Sequence, residues 1–323
     1  MRITLVAPGL LALPSEALAQ ATSLSQLAAI AGVHDAPGLD EALLADLGCE
    51  AQPAPLAAAG AGIDVGTTWV VRADPVSMIV GREDVRLAGL VDDLDEAERS
   101  ALLALLDGHF AGDGLAFFAP RADAFFASIA TPQQVRTAAI EAVGNRPLRE
   151  CIPAGPDAPR WRRWLTEAQM LLHDHALAQR AGLPVNALWF AGGGVLPNAS
   201  SIPAFDAYAA AGRHGDVVRG LVRVGERRAR PITPLPEALT KSASGHVVSA
   251  LSALRSPVDL ATLVRDFVTP AVDALYRGDA SAVKLIASGN GMMASWSAQR
   301  PSWTARLRRK QSRFVAPETL DRR

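Results

Sequence analysis

Between residues 155 and 197, apolar side chains recur at Trp161, Trp164, Leu165, Ala168, Leu172 and Ala176, the i, i+3, i+4, i+7 spacing of a helix with one buried face. Gly155, Pro156 and Pro159 punctuate its start, Asp157 stands where a cap is needed, and Gly182 and Pro184 are expected to end it. The pattern then changes. Residues 185–190 form a short unbroken apolar run, as in a strand covered on both faces, and Gly192, Gly193 and Gly194 are expected to turn the chain at its end. A helix feeding such a strand is half of an α/β layer, so the predicted class is α/β, with a mixed, mainly parallel sheet flanked by helices.

The remaining pattern fits that class. Residues 2–7 read as a first buried strand closed by Pro8-Gly9, or as the apolar part of a secretory signal over residues 1–21 with Ala17-Leu18-Ala19 as its cleavage site. The early Pro8-Gly9 break favours the strand. Residues 15–48 predict two short helices split at residues 32–38, with Asp40 capping the second, and the Ala, Pro and Gly of residues 52–62 predict a loop. Strands are expected at 67–74, 85–90, 117–119 and 124–129. A helix whose acidic start complements its dipole is expected over 92–107, and another opens at Thr131-Pro132 and runs through Val143. Later, residues 203–211 predict a short helix, 217–224 a helix or a strand, 226–236 a loop, 246–254 an apolar run and 259–275 a helix. Residues 283–287 and 292–297 predict a hairpin turning at Asn290-Gly291. The length allows one α/β unit over residues 1–305 or two lobes, 1–150 and 151–305, followed by a basic tail at 306–323.

Composition narrows the function classes. With 49% hydrophobic residues the chain supports a large core, and a net charge of −1 gives no general attraction to nucleic acid. No apolar run is long enough for a membrane span. Cys49 and Cys151 are isolated and read as buried thiols of a reducing compartment, so a cytoplasmic location is expected. The tail, with Arg306, Arg308, Arg309, Lys310 and Arg313, reads as a solvated end rather than a phosphate contact.

Candidate chemistry gathers in the 155–197 stretch. His173 and His175 look like a metal pair, but on a helix they point about 200° apart and cannot share one ion unaided. His175 falls near the apolar stripe. His173 joins Arg162, Thr166 and Gln169 on a polar stripe that either lines a cleft or lies in water. The three glycines follow a strand as phosphate-cradling loops do, but no GK[ST] follows and Pro197 interrupts G-x-G-x-x-G. They are either a close-packed turn or an anion site. Lys241-Ser242-Ala243-Ser244-Gly245-His246 holds serines beside a histidine but lacks the G-x-S-x-G elbow.

The strings RWRRWLTEAQMLLHDH and GLPVNALWFAGGGVLP resemble the signature of a bacterial family of phosphoglycerate mutase-like, RpfE-type regulatory proteins. Glu167, Gln169, His173, His175, Trp189, Gly192, Gly193 and Gly194 match it. Ala176, Leu177 and Ala178 stand where that family has Pro-Val-Asn. Arg72-Ala73-Asp74-Pro75-Val76 is a second match, followed by Ser77 where a histidine is usual. A fainter similarity reaches the archaeal-type cofactor-independent phosphoglycerate mutases. The resemblance implies a reduced alkaline phosphatase/phosphoglycerate mutase-like fold and a ligand-binding set of Glu167, Gln169, His173, Trp189, Gly192, Gly193 and Gly194.

Those mutases hold two metal ions with aspartates and histidines beside a serine, and their first metal-binding Asp follows the first strand. Here Val6-Ala7-Pro8-Gly9-Leu10 carries no carboxylate, and Gly245-His246 lacks the Asp expected shortly before it. The expectation is therefore a non-catalytic protein without metal or cofactor. Its role would be regulatory or partner-binding, toward a protein or a small anionic ligand. The alternatives are a metal-dependent isomerase of 3- and 2-phosphoglycerate using Mn²⁺ or Mg²⁺, and a small anion-binding module.

Overall fold

A computed structural model gives the fold and describes residues 1–35, 37–81, 85–144 and 146–300. The predicted basic tail lies outside the described residues. In chain order the elements are β1 (Arg2–Ala7), α1 (Ser15–Gln20), α2 (Thr22–Ile30), β2 (Gly32–Asp35), α3 (Leu39–Leu47), α4 (Pro53–Gly60), β3 (Trp69–Val80), β4 (Val85–Leu90), α5 (Glu96–Phe110), β5 (Leu115–Arg121), β6 (Ala124–Ile129), α6 (Ile140–Val143), α7 (Ala158–His173) and β7 (Ala187–Gly194). There follow β8 (Asp206–Ala209), α8 (Arg213–Val224), β9 (Arg230–Pro231), α9 (Leu235–Thr240), β10 (His246–Ala250), α10 (Pro257–Leu263), α11 (Thr269–Arg277), β11 (Ala282–Gly289) and β12 (Met292–Gln299).

These elements form two compact units. One comprises Met1–Gly48, Pro203–Gly215 and the chain from Arg228 on; the other comprises Cys49–Ile202 and Asp216–Arg227. The second unit is thus inserted into the first, and residue 150 falls inside it rather than at a boundary.

The first unit is built on a seven-stranded mixed sheet of order β2-β12-β11-β1-β10-β8-β9. From β11 through β9 every pairing is parallel, while β12 and β2 join antiparallel. The inner strands are apolar because helices cover them: Ile3, Leu5, Val247, Leu285 and Trp296 are buried with side chains of α1, α2, α9, α10 and α11. Alternate residues, Thr4 and Lys284 among them, face the other way, toward α3. The predicted hairpin is present. Asn290 and Gly291 have φ of 52° and 69°, the positive pair a tight β11–β12 turn requires.

Two expectations fail here. Residues 203–211 hold the strand β8, not a helix, because Ala207, Tyr208 and Ala209 are buried between β10 and β9. Asp40 does not cap α3; Gly38 is the capping residue, and the Asp40 carboxylate lies 2.9 Å from His214 Nδ1.

The second unit carries a five-stranded antiparallel sheet, order β4-β3-β6-β5, with β7 paired to the other edge of β3. Under α5 and α7 its core holds Trp69, Phe110, Phe125, Trp161, Trp164 and Phe190. Trp161 is the hub, with ring centroids 5.2, 5.0 and 5.1 Å from Trp69, Trp164 and Phe190. The loop expected over residues 52–62 is the helix α4. Its alanines are the best helix formers, and Pro53 sits in the first turn, where no N–H is missed. A Cβ on Gly60 would lie 1.8 Å from Asp216 O and one on Gly220 1.9 Å from Leu56 O, so α4 and α8 cross backbone to backbone there. The helix expected over residues 131–143 exists only as the turn α6; upstream, Arg136 instead bridges Ala154.

Among the described residues no helix is long and apolar enough to cross a membrane. Both cysteines are free and buried, and burial pushes the Cys151 thiol up.

Candidate functional site

The residues picked from sequence do not converge. Helix α7 turns Trp161, Trp164, Ala168 and Leu172 onto the sheet, which leaves Gln169 and His173 exposed. Glu167 is engaged on the surface, 3.3 Å from Arg163 and 3.6 Å from His109. The helix ends at His173, well before Gly182. Asp157 spends its carboxylate on Gln134 N–H at 2.6 Å rather than on the helix start, and His175 Nδ1 accepts from Leu177 N–H to open a short 3₁₀ turn.

Trp189 lies on the opposite face of the sheet. It is buried with Val76, Met78, Ile140 and Val143, and its Nε1–H donates to Ala138 O at 2.9 Å. The glycines do not turn the chain; they are the last residues of β7. A Cβ on Gly192 would meet Pro53 Cγ at 2.6 Å, on Gly193 Trp69 Cη2 at 2.1 Å, and on Gly194 Gln52 Cβ at 2.7 Å. They are glycine so that α4 and Trp69 can approach the strand. The Gly192 N–H already donates to Thr137 Oγ1.

What does meet Trp189 is the second matching string. Asp74 is its register partner on β3, and Arg72 pairs with Asp74 at 3.2 Å. The Arg72 guanidinium also donates to Asp123 O at 2.8 Å and lies 5.1 Å over the Phe126 ring. A neighbouring cluster runs from Asp123 through Arg121 to Asp216 and Arg219. Burial works against the Arg121 charge, yet the hydrogen bonds it donates to Asp216 and Asp123 raise its pKa. These pairs knit the unit together.

In an open α/β sheet, ligands are held at the carboxyl ends of the parallel strands. In the first unit main chain packs against main chain at that edge. Leu251 N–H donates to Val6 O and Leu254 N–H to Pro8 O. Gly9 has φ 79°, and a Cβ there would lie 2.4 Å from Leu254 O; one on Gly289 would lie 2.1 Å from Ala12 N. The cavity of about 200 Å³ beyond β8 and β10 is lined mainly by Ala210, Leu251, Leu254, Leu263 and Phe267. Its one carboxylate, Asp259, is occupied in capping α10.

The Mn²⁺ or Mg²⁺ pair of the isomerase alternative does not fit this donor set. The Asp40–His214 pair supplies one carboxylate and one imidazole, and among the described residues no three His, Cys, Asp or Glu side chains gather to hold a metal ion.

The opposite edge is polar. Asp46, at the end of α3, accepts from Thr4 Oγ1 at 2.6 Å on one carboxylate oxygen, while Arg2 and Lys284 stand 3.1 and 3.4 Å from the other. Thr4 Oγ1 lies 2.9 Å from His246 Nε2. Since the threonine proton goes to Asp46, His246 is the Nε2–H tautomer and donates to the threonine oxygen. Burial, then the Arg2 charge, hold the imidazole below its usual range, with Asp46 opposing. A cavity of about 490 Å³ opens beside this cluster.

Sequence reading discounted the Lys241–His246 string as chemistry and gave it no other role. Its serines form a nest: Ser242 Oγ, Ala243 N–H, Ser244 N–H and Ser244 Oγ all donate to Asp206 Oδ2 at 2.8–2.9 Å. Partial burial alone would raise the Asp206 carboxyl, but these donors hold it below the usual carboxylate range.

No protein-family model and no curated protein matches the sequence. Among solved structures, the chain is similar to the cofactor-independent phosphoglycerate mutase from Thermoplasma acidophilum, at 17% identity over 92% of this chain and 89% of that one, with a TM-score of 0.40. It is also similar to the PH0037 protein from Pyrococcus horikoshii, at 14% identity over 92% of this chain and 87% of that one, with a TM-score of 0.44.

Proposed function

We propose that the protein is a non-catalytic, phosphoglycerate mutase-like binding protein with a regulatory or partner-binding role, and not a metal-dependent isomerase of phosphoglycerate. The observation that carries this reading is the Gly9 corner. A two-metal phosphoryl transferase needs carboxylates and imidazoles around two cations and a hydroxyl nucleophile, and the mutases this chain resembles place the first of those carboxylates just after their first strand. After β1 this chain places Pro8 and Gly9 so close to Leu254 that a single Cβ would clash with a main-chain oxygen at 2.4 Å. The side chains around the adjoining cavity are chiefly apolar.

The test is direct. Purified protein is assayed for interconversion of 3- and 2-phosphoglycerate with Mn²⁺ or Mg²⁺ added, and its metal content is measured. The expected result is no turnover above the no-protein control and far less than one divalent ion per chain. Metal-dependent turnover, or about two tightly held ions per chain, would overturn the reading.

A further inference from the structure

The cavity beside Asp46 has the composition of an anion site. It lies at the amino ends of β1 and β11, and its volume of about 490 Å³ falls within the 300–1,000 Å³ usual for small-molecule sites. Arg2 and Lys284 line it, and both lean on one carboxylate, Asp46, which is 8% exposed. Two cations against one anion leave the wall with a net positive charge, and among the described residues Asp46 is the charged partner each of them has. A guanidinium that gives one nitrogen to Asp46 retains other N–H donors, as does an ammonium with a single partner. Ser297 and Gln299, on β12, add uncharged polar groups to the same wall. Asp46 itself is fixed by Thr4, which His246 backs in turn, so the cations are held rather than loose.

We propose that this cavity binds a small oxyanion, a phosphate or carboxylate group on a short polar molecule, with Arg2 and Lys284 gripping the charge and Ser297 and Gln299 meeting the polar remainder. Two resident cations exclude a metal ion. The proposal rests on these residues alone and is independent of the non-catalytic reading, so mutase turnover would leave it standing.

The full chain is titrated calorimetrically with inorganic phosphate, glycerol 3-phosphate and glycerate, each against sodium chloride of matched ionic strength. The expected result is saturable one-to-one binding of at least one probe and a raised melting temperature. Glycerol 3-phosphate without glycerate assigns the charge to phosphate; the reverse assigns it to carboxylate. Lys284→Gln is expected to weaken that binding about tenfold, and Lys241→Gln, on an exposed lysine outside the cavity, to leave it unchanged.

A second readout needs no variant. Of the three lysines, the bound probe should slow acetylation of Lys284 by acetic anhydride and not that of Lys241, read by mass spectrometry. No saturation beyond matched chloride, undiminished binding by Lys284→Gln, or unprotected Lys284 at saturating probe would overturn the proposal.

Discussion

Ser244 gives both its main-chain N–H and its hydroxyl to one oxygen of Asp206, at 2.9 and 2.8 Å. With Ser242 and Ala243 on the same oxygen, the start of β8 is tied to the loop entering β10, which fixes two neighbouring parallel strands. Hydrogen bonds to a charged group contribute about 1.5–3 kcal/mol, so Asp206→Ala is expected to cost about that much in urea denaturation near neutral pH.

The same nest sets a pH dependence. The folded Asp206 carboxyl titrates below its unfolded value of about 3.9, so its contribution is fully present above that pH and is lost as the pH falls through that value toward the folded one. The stability gap between wild type and Asp206→Asn, measured by urea denaturation at several pH values, is expected to shrink below about pH 4. A gap that stays constant there would show that the charge on Asp206 is not what the nest holds.

The glycines separate by what surrounds them. Gly193→Ala drives a methyl onto Trp69, a buried side chain, and is expected to cost about 1–3 kcal/mol. Gly60→Ala is expected to be worse, because the obstacle is the main chain of α8. Gly108 lies within α5 with nothing near its missing Cβ, so Gly108→Ala should stabilise by about 0.5–1 kcal/mol. Thermal melts of the three variants check the order.

The fold was legible where local pattern and tertiary demand agree. The apolar run of β1, the acidic start of α5 and the Asn290-Gly291 hairpin all read from neighbours in sequence; the Asp95–Glu98 capping box of α5 was found only in the structure. It was illegible where a partner distant in the chain decides. Residues 206–209 form a strand because β9 and β10 flank them, and α4 looked like a loop because its small residues serve a close helix crossing. The candidate residues of α7 and β7 lie on different surfaces for the same reason. Spacing on α7 showed which residues share a face, but not that Trp189 and the glycines serve packing on other surfaces. Arg2, Thr4, Asp46, His246 and Lys284 come from four elements, so no spacing rule could have joined them. Polar residues set in largely apolar strands, Thr4 in β1 and Lys284 in β11, were the local hint of a polar wall.

Trp189 and the polar stripe of α7 should therefore behave oppositely under mutation. Trp189→Phe leaves the partly buried Ala138 carbonyl without its donor and shrinks a packed ring, so a loss of about 1–3 kcal/mol is expected. Gln169→Ala and His173→Ala, on exposed positions, are expected to change stability by no more than about 0.5 kcal/mol. Equilibrium denaturation of the three variants decides it; a Gln169 or His173 variant as costly as Trp189→Phe would mean that the stripe is not merely solvated.

His246 contributes a near-neutral pH dependence to stability. Burial and the Arg2 charge disfavour its protonated form in the folded protein, while Asp46 offsets them in part. In the unfolded chain the ring takes up a proton as the pH falls through about 6.5, whereas the folded ring stays neutral until the pH is lower. The unfolded state therefore binds more protons in that interval, and stability must decline as the pH drops. The chain has six histidines, so the contribution of His246 is isolated by difference. His246→Gln keeps an N–H to offer Thr4 and removes the titration. From about pH 7.5 to about pH 5.5, wild type is expected to lose more stability than His246→Gln in urea denaturation, narrowing the gap between them. A gap that widened as the solution became more acidic would mean that the carboxylate of Asp46, rather than burial, governs the ring, and that His246 is charged in the folded protein.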